Sequence, residues 1–235
     1  MYIITSKGKR IEISLEKLWS LPVDTLKLNC SNYCLTSLPE LPPNLQELRC
    51  SGNYLTSLPE LPPSLQELYC SFNQITSLPS LPSNLQILWY SGNGLASLPS
   101  PLPPSLQELC CSNNYLTSLP ELPPSLQELY CSNNRLTSLP SLPPNLDTLF
   151  CPINRLTSLP ELPPSLHALC CHDNPFEKIY PDLKMETVNL WNRSALFIQT
   201  KWRIRDRMKA CPYHRLGRKH MENEWGKFKD LWGKS

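Results

Sequence analysis

The sequence lacks any hydrophobic run long enough to span a membrane, which requires about 20 consecutive apolar residues. Its first stretch, MYIITSKGKRIEIS, also lacks the uninterrupted apolar segment of a secretion signal, because Lys7, Lys9 and Arg10 interrupt it. We therefore expect a protein without a transmembrane segment that stays in the cytoplasm.

Residue patterns of the common enzyme sites are missing as well. Neither a nucleophile-His-Asp triad, nor a phosphate-binding loop, nor a pair of clustered carboxylates is apparent. Near the carboxyl end, Cys211, His214 and His220 lack the paired spacing of a zinc site. These absences favour a non-enzymatic protein, and we expect neither a cofactor nor a metal.

Glycine is scarce and proline is abundant, with 7 glycines and 26 prolines among 235 residues. All prolines except Pro212 lie between Leu21 and Pro181, and proline disrupts a helix because it cannot donate the helical hydrogen bond. Long helices are therefore excluded from that part of the chain. The 11 cysteines are an odd number in a chain without a recognisable export signal, which favours free thiols in a reducing compartment.

A repeat of 20 residues accounts for most of the chain, and one copy carries an extra residue near Ser100-Pro101. Self-similarity at this period indicates a solenoid, in which each repeat contacts only its neighbours. The copies begin at Thr25, Leu45, Leu65, Leu85, Leu106, Leu126, Leu146 and Leu166.

Each copy contains a short stretch with the alternation of a β-strand. In Glu47–Ser51, Leu48 and Cys50 are expected to point inward, while Glu47 and Arg49 point outward. One such strand from each repeat, stacked in parallel, predicts a single curved sheet.

The consensus L-x-x-L-x-C-x-x-N-x-L-T-S-L-P-E-L-P-P-S resembles the leucine-rich repeat in its shortest, proline-rich form. That form is found in bacterial effectors of the YopM and IpaH kind and in related proteins of intracellular pathogens and giant viruses. The resemblance covers about Leu15–Leu183 and implies a leucine-rich-repeat solenoid, a right-handed horseshoe with a parallel sheet on its concave side. For a pathogen or viral protein, the expected compartment is the cytoplasm of the host cell. The prolines predict an extended, polyproline-like convex side.

The ends of the chain depart from the repeat. Tyr2–Thr5 and Arg10–Ser14 flank a turn and predict a small hairpin, and the following leucines resemble a degraded first repeat. We divide the chain into a capping segment at 1–24, a solenoid at 25–183 and a basic helical tail at 184–235, which we expect to form a small α-helical cap.

Two columns of equivalent residues are expected to be structural. Inward asparagine side chains can satisfy backbone groups where the chain turns; they are Asn53, Asn73, Asn93, Asn114, Asn134, Asn154 and Asn174. Inward cysteines act as small apolar core residues, with Tyr90 substituting once; they are Cys30, Cys50, Cys70, Cys111, Cys131, Cys151 and Cys171.

Outward positions of the sheet are the best candidates for binding, because the scaffold does not dictate them. The aromatic column comprises Asn29, Arg49, Tyr69, Trp89, Cys110, Tyr130, Phe150 and Cys170, and the glutamate column beside it comprises Glu47, Glu67, Ile87, Glu108 and Glu128. Aromatic residues are enriched at binding hot spots, and the carboxylates favour a basic protein partner. Alternatively, stacked aromatics only stiffen neighbouring strands.

The last 60 residues contain 14 Lys/Arg and 7 Asp/Glu, a net charge of +7, whereas the rest of the chain carries −5. Helices are predicted over Ala195–Ala210 and about Lys219–Trp232, and the simplest expectation is that they close the end of the solenoid. The first helix is also similar to the opening of an IQ motif, which implies a calmodulin-like partner, and its basic face would suit an anionic surface. The residues involved are Ile198, Gln199, Lys201, Trp202, Arg203, Arg205 and Lys209. No nucleic-acid-binding motif is present, so we do not expect a nucleic-acid partner.

An enzymatic alternative follows from the same resemblance, because IpaH-like proteins carry a ubiquitin-ligase domain whose nucleophile lies in a Cys-x-Asp motif. Cys171-His172-Asp173 has that spelling. The repeat register, however, places Cys171 in the buried cysteine column, and a thiolate nucleophile needs an accessible, electropositive site. Ubiquitin-ligase-like activity is therefore the second hypothesis.

Overall fold

The structure, a computed structural model, describes residues 1–175. The predicted tail helices and the tail residues proposed to bind calmodulin lie outside this range. The described elements are β1 (Tyr2–Thr5), β2 (Arg10–Glu12), a 3₁₀ helix (Glu16–Ser20), β3 (Thr25–Asn29), β4 (Glu47–Arg49), β5 (Glu67–Tyr69), β6 (Ile87–Trp89), β7 (Glu108–Cys110), β8 (Glu128–Tyr130), β9 (Thr148–Phe150) and β10 (Ala168–Cys170). Within residues 1–175, no helix has the length and apolar character needed to cross a membrane.

Strands β3 to β10 form the parallel sheet expected of a leucine-rich-repeat solenoid. Neighbouring strands pair in register one repeat apart, as with Leu48 and Leu68. The inward leucines of the strands therefore stack into one continuous core, and the exposure of Leu48, Leu68, Leu88, Leu109, Leu129 and Leu149 is 0%.

The predicted hairpin is present at the amino-terminal edge of the sheet. Strand β1 pairs antiparallel with both β2 and β3, so it covers the edge that the first parallel strand would otherwise expose. The second strand of the hairpin ends at Glu12, two residues before the predicted Ser14. Arg10 and Glu12 are exposed on the outermost strand, and charged residues at such an edge oppose pairing with other chains.

The asparagine column forms the predicted ladder. The Asn53 amide nitrogen donates to the carbonyl oxygens of Cys30 at 3.0 Å and Cys50 at 2.8 Å. Its side-chain oxygen accepts the backbone N–H groups of Tyr33 at 3.0 Å and Leu35 at 2.9 Å. Each asparagine therefore joins its own repeat to the preceding one through buried backbone groups that would otherwise lack partners.

The residue before each of these asparagines has a left-handed backbone conformation, which the sequence analysis did not detect. The φ angles lie between 51° and 68° at Gly52, Phe72, Gly92, Asn113, Asn133, Ile153 and Asp173, and also at the equivalent Asn32, which precedes Tyr33. Glycine, asparagine and aspartate tolerate this conformation, whereas a β-branched residue such as Ile153 is strained there. At Gly92 there is also no room for a side chain, because an added Cβ would lie 2.6 Å from Cδ1 of Phe72.

Within residues 1–175, the convex side contains neither helix nor strand over the proline-rich segments, as predicted. A second ladder, absent from the sequence analysis, connects these segments through the last residue of the consensus. The Ser125 hydroxyl lies 2.7 Å from the carbonyl oxygens of both Leu106, which begins its own repeat, and Pro104 in the preceding repeat. Ser64, Ser105 and Ser165 make equivalent contacts.

Candidate protein-binding face

The outward residues of β3 to β10 form the two predicted columns on one surface of the sheet, which we call the concave face. In-register pairing places Glu47 beside Glu67 and Arg49 beside Tyr69, on strands separated by about 4.8 Å. Lys27 adds a cation beside Glu47. Lys27 was not among the predicted site residues, although it lies one repeat before Glu47 in the sequence and therefore belongs to the same column.

A charged cluster occupies the amino-terminal part of the concave face. The carboxylate of Glu47 accepts a hydrogen bond from the Lys27 ammonium at 2.6 Å. It also forms an ion pair with Nε of Arg49. The Arg49 guanidinium lies 4.3 Å above the centre of the Tyr69 ring, and the Tyr69 hydroxyl donates to Glu67 at 2.8 Å. This cluster therefore holds both an ion pair and a cation–π contact on adjacent strands.

The stability of the solenoid should depend on pH through the ionisation of Glu47. Burial opposes ionisation of Glu47, but hydrogen bonds from Lys27 and Arg49 outweigh burial and hold its pKa below 4.5. Since the lowered pKa belongs to the folded state, the carboxylate stabilises the fold above about pH 4.5, and that contribution is lost as pH falls through the folded-state pKa. We expect Glu47→Gln to lower the free energy of unfolding by about 1–2 kcal/mol at pH 7. Denaturant unfolding should show this difference shrinking toward pH 3, and a constant difference would contradict the assignment.

The central part of the face contains an edge-to-face aromatic contact. The ring centres of Tyr69 and Trp89 are 5.5 Å apart, with an angle of 68° between the ring planes. The indole Nε1 of Trp89 donates to Oε1 of Glu108 on the next strand at 2.9 Å. Contacts with both neighbouring strands, to Tyr69 on β5 and to Glu108 on β7, therefore hold the Trp89 side chain in place.

A second aromatic pair follows in the carboxyl-terminal part. The rings of Tyr130 and Phe150 have centres 5.5 Å apart, and the Tyr130 hydroxyl donates to Glu128 at 2.8 Å. Burial and the nearby Glu128 charge raise the pKa of this hydroxyl, so Tyr130 stays neutral and its hydroxyl remains a donor.

The expected exposure of the aromatic column is wrong for three of its members, Tyr69, Tyr130 and Cys170. Tyr69 and Tyr130 have only 6% and 7% of their surface exposed, because neighbouring side chains of the face cover their rings. Trp89, Phe150 and Arg49 are half-buried and contribute more of the accessible surface. Glu47 and Glu108 also point outward as predicted, yet both are buried among these neighbours.

The inward cysteines lie in the hydrophobic core. Burial raises the pKa of Cys30 and of Cys70 to about 12. On the concave face, Cys110 is half-buried with its sulfur 3.1 Å from the Ser91 hydroxyl. Burial raises the Cys110 pKa to about 11, so this thiol is protonated at neutral pH.

The Cys-x-Asp sequence does not form an accessible site. Cys171 is only 6% exposed and belongs to the hydrophobic core. His172 contacts Asp173 through Nδ1 and Oδ2 at 2.9 Å, and the Asn174 amide donates to the Cys171 carbonyl at 2.8 Å within the asparagine ladder. Cys171, His172 and Asp173 therefore occupy the same structural positions as the equivalent residues of the preceding repeats.

Aromatic side chains are also exposed away from the concave face. Tyr54 and Tyr115 follow the asparagines on one lateral edge and are 41% and 53% exposed. The Arg135 guanidinium lies 4.9 Å from the centre of the Tyr115 ring. This edge offers matched aromatic positions for control substitutions.

Comparisons with known proteins agree with this geometry. The family models described as Leucine Rich Repeat and as Leucine Rich repeats (2 copies) match residues 64–85 and residues 104–144 and 124–164, respectively. No curated protein matches the sequence.

Solved structures of three bacterial proteins are similar over about two thirds of the chain. YopM from Yersinia enterocolitica WA-314 is 41% identical over 66% of this chain and 39% of its own, with a TM-score of 0.54. The leucine-rich-repeat domain of a Shigella effector is 34% identical over 68% of this chain and 74% of its own, with a TM-score of 0.58. The functional domain of InlJ from Listeria monocytogenes, described as including a cysteine ladder, is 30% identical over 63% of this chain and 35% of its own, with a TM-score of 0.56.

The chain thus spans well under half of that YopM protein but most of the Shigella domain. The chain belongs to the leucine-rich-repeat family.

Proposed function

We propose that this chain is a non-enzymatic scaffold that binds a protein partner on its concave face. Leucine-rich-repeat solenoids of the effector-like type support protein–protein interaction in general. The observation that carries the proposal for this face is its aromatic column, in which Trp89 and Phe150 are half-buried and contact Tyr69 and Tyr130. Such side chains are already ordered before binding, which lowers the entropy lost on association.

The composition of the repeats supports the same surface. The positions that build the ladders and the core are nearly invariant from copy to copy, whereas the aromatic column varies from Arg49 to Trp89, Cys110 and Phe150. In a solenoid with a uniform scaffold, the outward residues that vary between repeats determine which partner binds. The glutamate column adds negative charge along this face, so the expected partner is a basic protein or a basic segment.

The burial of Cys171 supports a binding role over the ubiquitin-ligase alternative. A nucleophilic thiol must reach a bound thioester, and the Cys171 side chain is enclosed by the core of the last described repeat. Mixing the protein with a ubiquitin-charged conjugating enzyme distinguishes the hypotheses. Thioester transfer that disappears in Cys171→Ser would overturn the non-enzymatic assignment.

A paired-variant experiment tests the concave face. We expect Trp89→Ser combined with Phe150→Ser to weaken partner capture from a eukaryotic lysate at least tenfold, because exposed aromatic anchors dominate binding energy. The matched control is Tyr54→Ser combined with Tyr115→Ser, which removes the same number of aromatics from the lateral edge. Capture is measured by quantitative mass spectrometry of proteins retained by the full-length chain, and circular dichroism checks the fold of each variant. Retention of the same proteins by the concave-face variant would contradict the proposal.

The tail is the second candidate, since its sequence resembles an IQ motif and carries a basic stripe. In the full-length protein, Lys201→Glu, Arg205→Glu and Lys209→Glu reverse that stripe without touching the solenoid sequence. Calcium-dependent or salt-dependent capture that fails in this variant and survives in the concave-face variant would assign the binding to the tail.

A further inference from the structure

Asn93 differs from the other members of the asparagine ladder in the residue that follows it. The others precede tyrosine, glutamine, arginine or proline, whereas Asn93 precedes Gly94, and this is the only Asn-Gly dipeptide in the sequence. The side chain of an asparagine can be attacked by the backbone nitrogen of the next residue, and the attack is easiest before glycine because no side chain hinders that nitrogen. One repeat therefore combines a structural asparagine with the dipeptide that is most prone to deamidation.

The fold does not require glycine at position 94. Gly92 has a left-handed backbone, with a φ of 67°, but Gly94 does not. A Cβ atom added to Gly94 would lie 3.4 Å from Cγ2 of Thr76, an ordinary contact distance, and the equivalent positions hold large residues such as Tyr54 and Tyr115. Gly94 can therefore be substituted without strain in the stack.

Hydrogen bonds of the closed ladder hold both reacting groups. The Gly94 N–H donates to the Ile75 carbonyl at 3.0 Å. The Asn93 amide nitrogen donates to the carbonyl oxygens of Cys70 at 3.1 Å and Tyr90 at 2.8 Å, and its oxygen accepts the Ile75 N–H at 3.0 Å. The Gly94 nitrogen can attack the side chain only when these bonds are broken, so the reaction requires local opening of the ladder.

The ladder is less well covered at Asn93 than at most of its members. Asn93 is half-buried, whereas five of the other six ladder asparagines are buried; these are Asn53, Asn114, Asn134, Asn154 and Asn174. Gly92 and Gly94 flank Asn93 and have no side chains to cover it. Glycine also gains more backbone freedom than other residues when a structure opens. Both effects favour opening at this repeat.

We propose that Asn93-Gly94 is a self-modification site, at which opening of the ladder is recorded as a covalent change. In the open state, the Gly94 nitrogen forms a bond to Cγ of Asn93, and the side-chain nitrogen leaves as ammonia, taking up the proton that Gly94 loses. Water then adds to one of the two carbonyl carbons of the resulting succinimide and opens the ring to aspartate or isoaspartate. Water is the only co-reactant, and no group is oxidised or reduced.

Neither product can rebuild the ladder. An aspartate carboxylate would face the carbonyl oxygens of Cys70 and Tyr90, which in the intact protein accept hydrogen bonds from the Asn93 amide. Both acceptors would lose their donor and meet a negative charge instead. Isoaspartate also routes the backbone through the side-chain Cβ, which displaces the residues that follow. Modification of Asn93 therefore breaks the connection between the repeats that begin at Leu65 and Leu85, and the break is irreversible.

The rate of deamidation in the full-length chain tests this site. Samples are kept at neutral pH, and peptide mass spectrometry after chromatography identifies the aspartate and isoaspartate forms at each asparagine. We expect Asn93 to react at least tenfold faster than any other ladder asparagine. Guanidinium chloride below the unfolding transition should accelerate the reaction in parallel with hydrogen exchange of the Ile75 amide, which reports the opening. Equal rates at all ladder asparagines, or a rate at Asn93 that denaturant leaves unchanged, would overturn the inference.

A substitution of the glycine isolates the chemical step. Gly94→Ala should slow the deamidation of Asn93 at least tenfold in both the native and the unfolded chain, because the new methyl group hinders the attacking nitrogen. The melting temperature should stay the same. The matched control is Gln74→Ala, at the equivalent position after Asn73, which should leave the rate at Asn93 unchanged. Deamidation of Asn93 that is equally fast in Gly94→Ala would contradict the proposed site.

The product can also be introduced directly. Asn93→Asp should lower the melting temperature or prevent folding, whereas Asn145→Asp, at an exposed position outside the ladder, should leave it nearly unchanged. An Asn93→Asp protein as stable as the parent chain would show that the modification does not separate the repeats. The comparison of rates in the parent chain and in Gly94→Ala does not depend on whether Asn93→Asp folds.

Discussion

Asn134→Leu is expected to lower the free energy of unfolding by about 3–4 kcal/mol, because each buried backbone group left without a partner costs about 1–3 kcal/mol. Leucine has the same number and branching of side-chain heavy atoms as asparagine, but its side chain can neither donate nor accept a hydrogen bond. The Asn134 amide donates to the carbonyl oxygens of Cys111 at 3.0 Å and Cys131 at 3.1 Å, and its oxygen accepts the Leu116 N–H at 3.1 Å. The substitution therefore leaves three backbone groups of two repeats unsatisfied at once.

Thermal and denaturant unfolding measure this effect, and the melting temperature should fall by roughly 10 °C. Asn145→Leu is the matched control, since Asn145 is exposed and makes one long contact with the Pro124 carbonyl at 3.3 Å. We expect the control to change the stability by less than about 0.5 kcal/mol. Equal losses in the two variants would show that the ladder does not hold the repeats together.

The buried cysteine column is expected to react with iodoacetamide at least a thousandfold more slowly than an exposed cysteine. The thiolate is the reactive form, and burial raises the Cys70 pKa from 9.0 to about 12, which lowers the thiolate fraction about a thousandfold. Enclosure in the core slows the reagent further. Cys34 is exposed and should react first, whereas half-buried Cys110, with a pKa near 11, should fall between the two.

Mass spectrometry of peptides from a time course at pH 7.5 gives the rate for each residue. In guanidinium chloride the same cysteines should react at similar rates, because unfolding removes both burial and the pKa shift. Native Cys70 labelling as fast as that of Cys34 would contradict the buried column. A gradual loss of protection upon mild denaturation would show where the solenoid opens first.

Most of the fold could be predicted because residues that stack on one another in the solenoid occupy equivalent positions of the repeated sequence. Once Glu47, Glu67 and Glu128 occupy equivalent positions, strand alternation decides which neighbours point inward, and stacking decides which residues are adjacent. The asparagine ladder could be predicted in the same way, since an inward amide beside a turn can form the hydrogen bonds that buried backbone groups need. The hairpin was predicted from local alternation and needed no long-range information.

Three features could not be predicted in this way. The left-handed column includes Phe72 and Ile153, whose residue types do not favour that conformation, so only the stacked neighbours impose it. Tyr90 replaces a cysteine in the core and is fully buried, with its hydroxyl beside the Cys111 thiol. The burial of Tyr69 and Tyr130 depends on the rotamers of Arg49, Trp89 and Phe150, which periodicity does not specify.

The repeat, the register of the sheet and the membership of each column follow from the sequence, because they depend only on spacing and on which residues are apolar. Which outward side chains remain accessible, and which residues they contact, depends on how the side chains pack in three dimensions. Side chains on adjacent strands are about 4.8 Å apart, so a large residue such as Trp89 covers its neighbours and reaches Glu108.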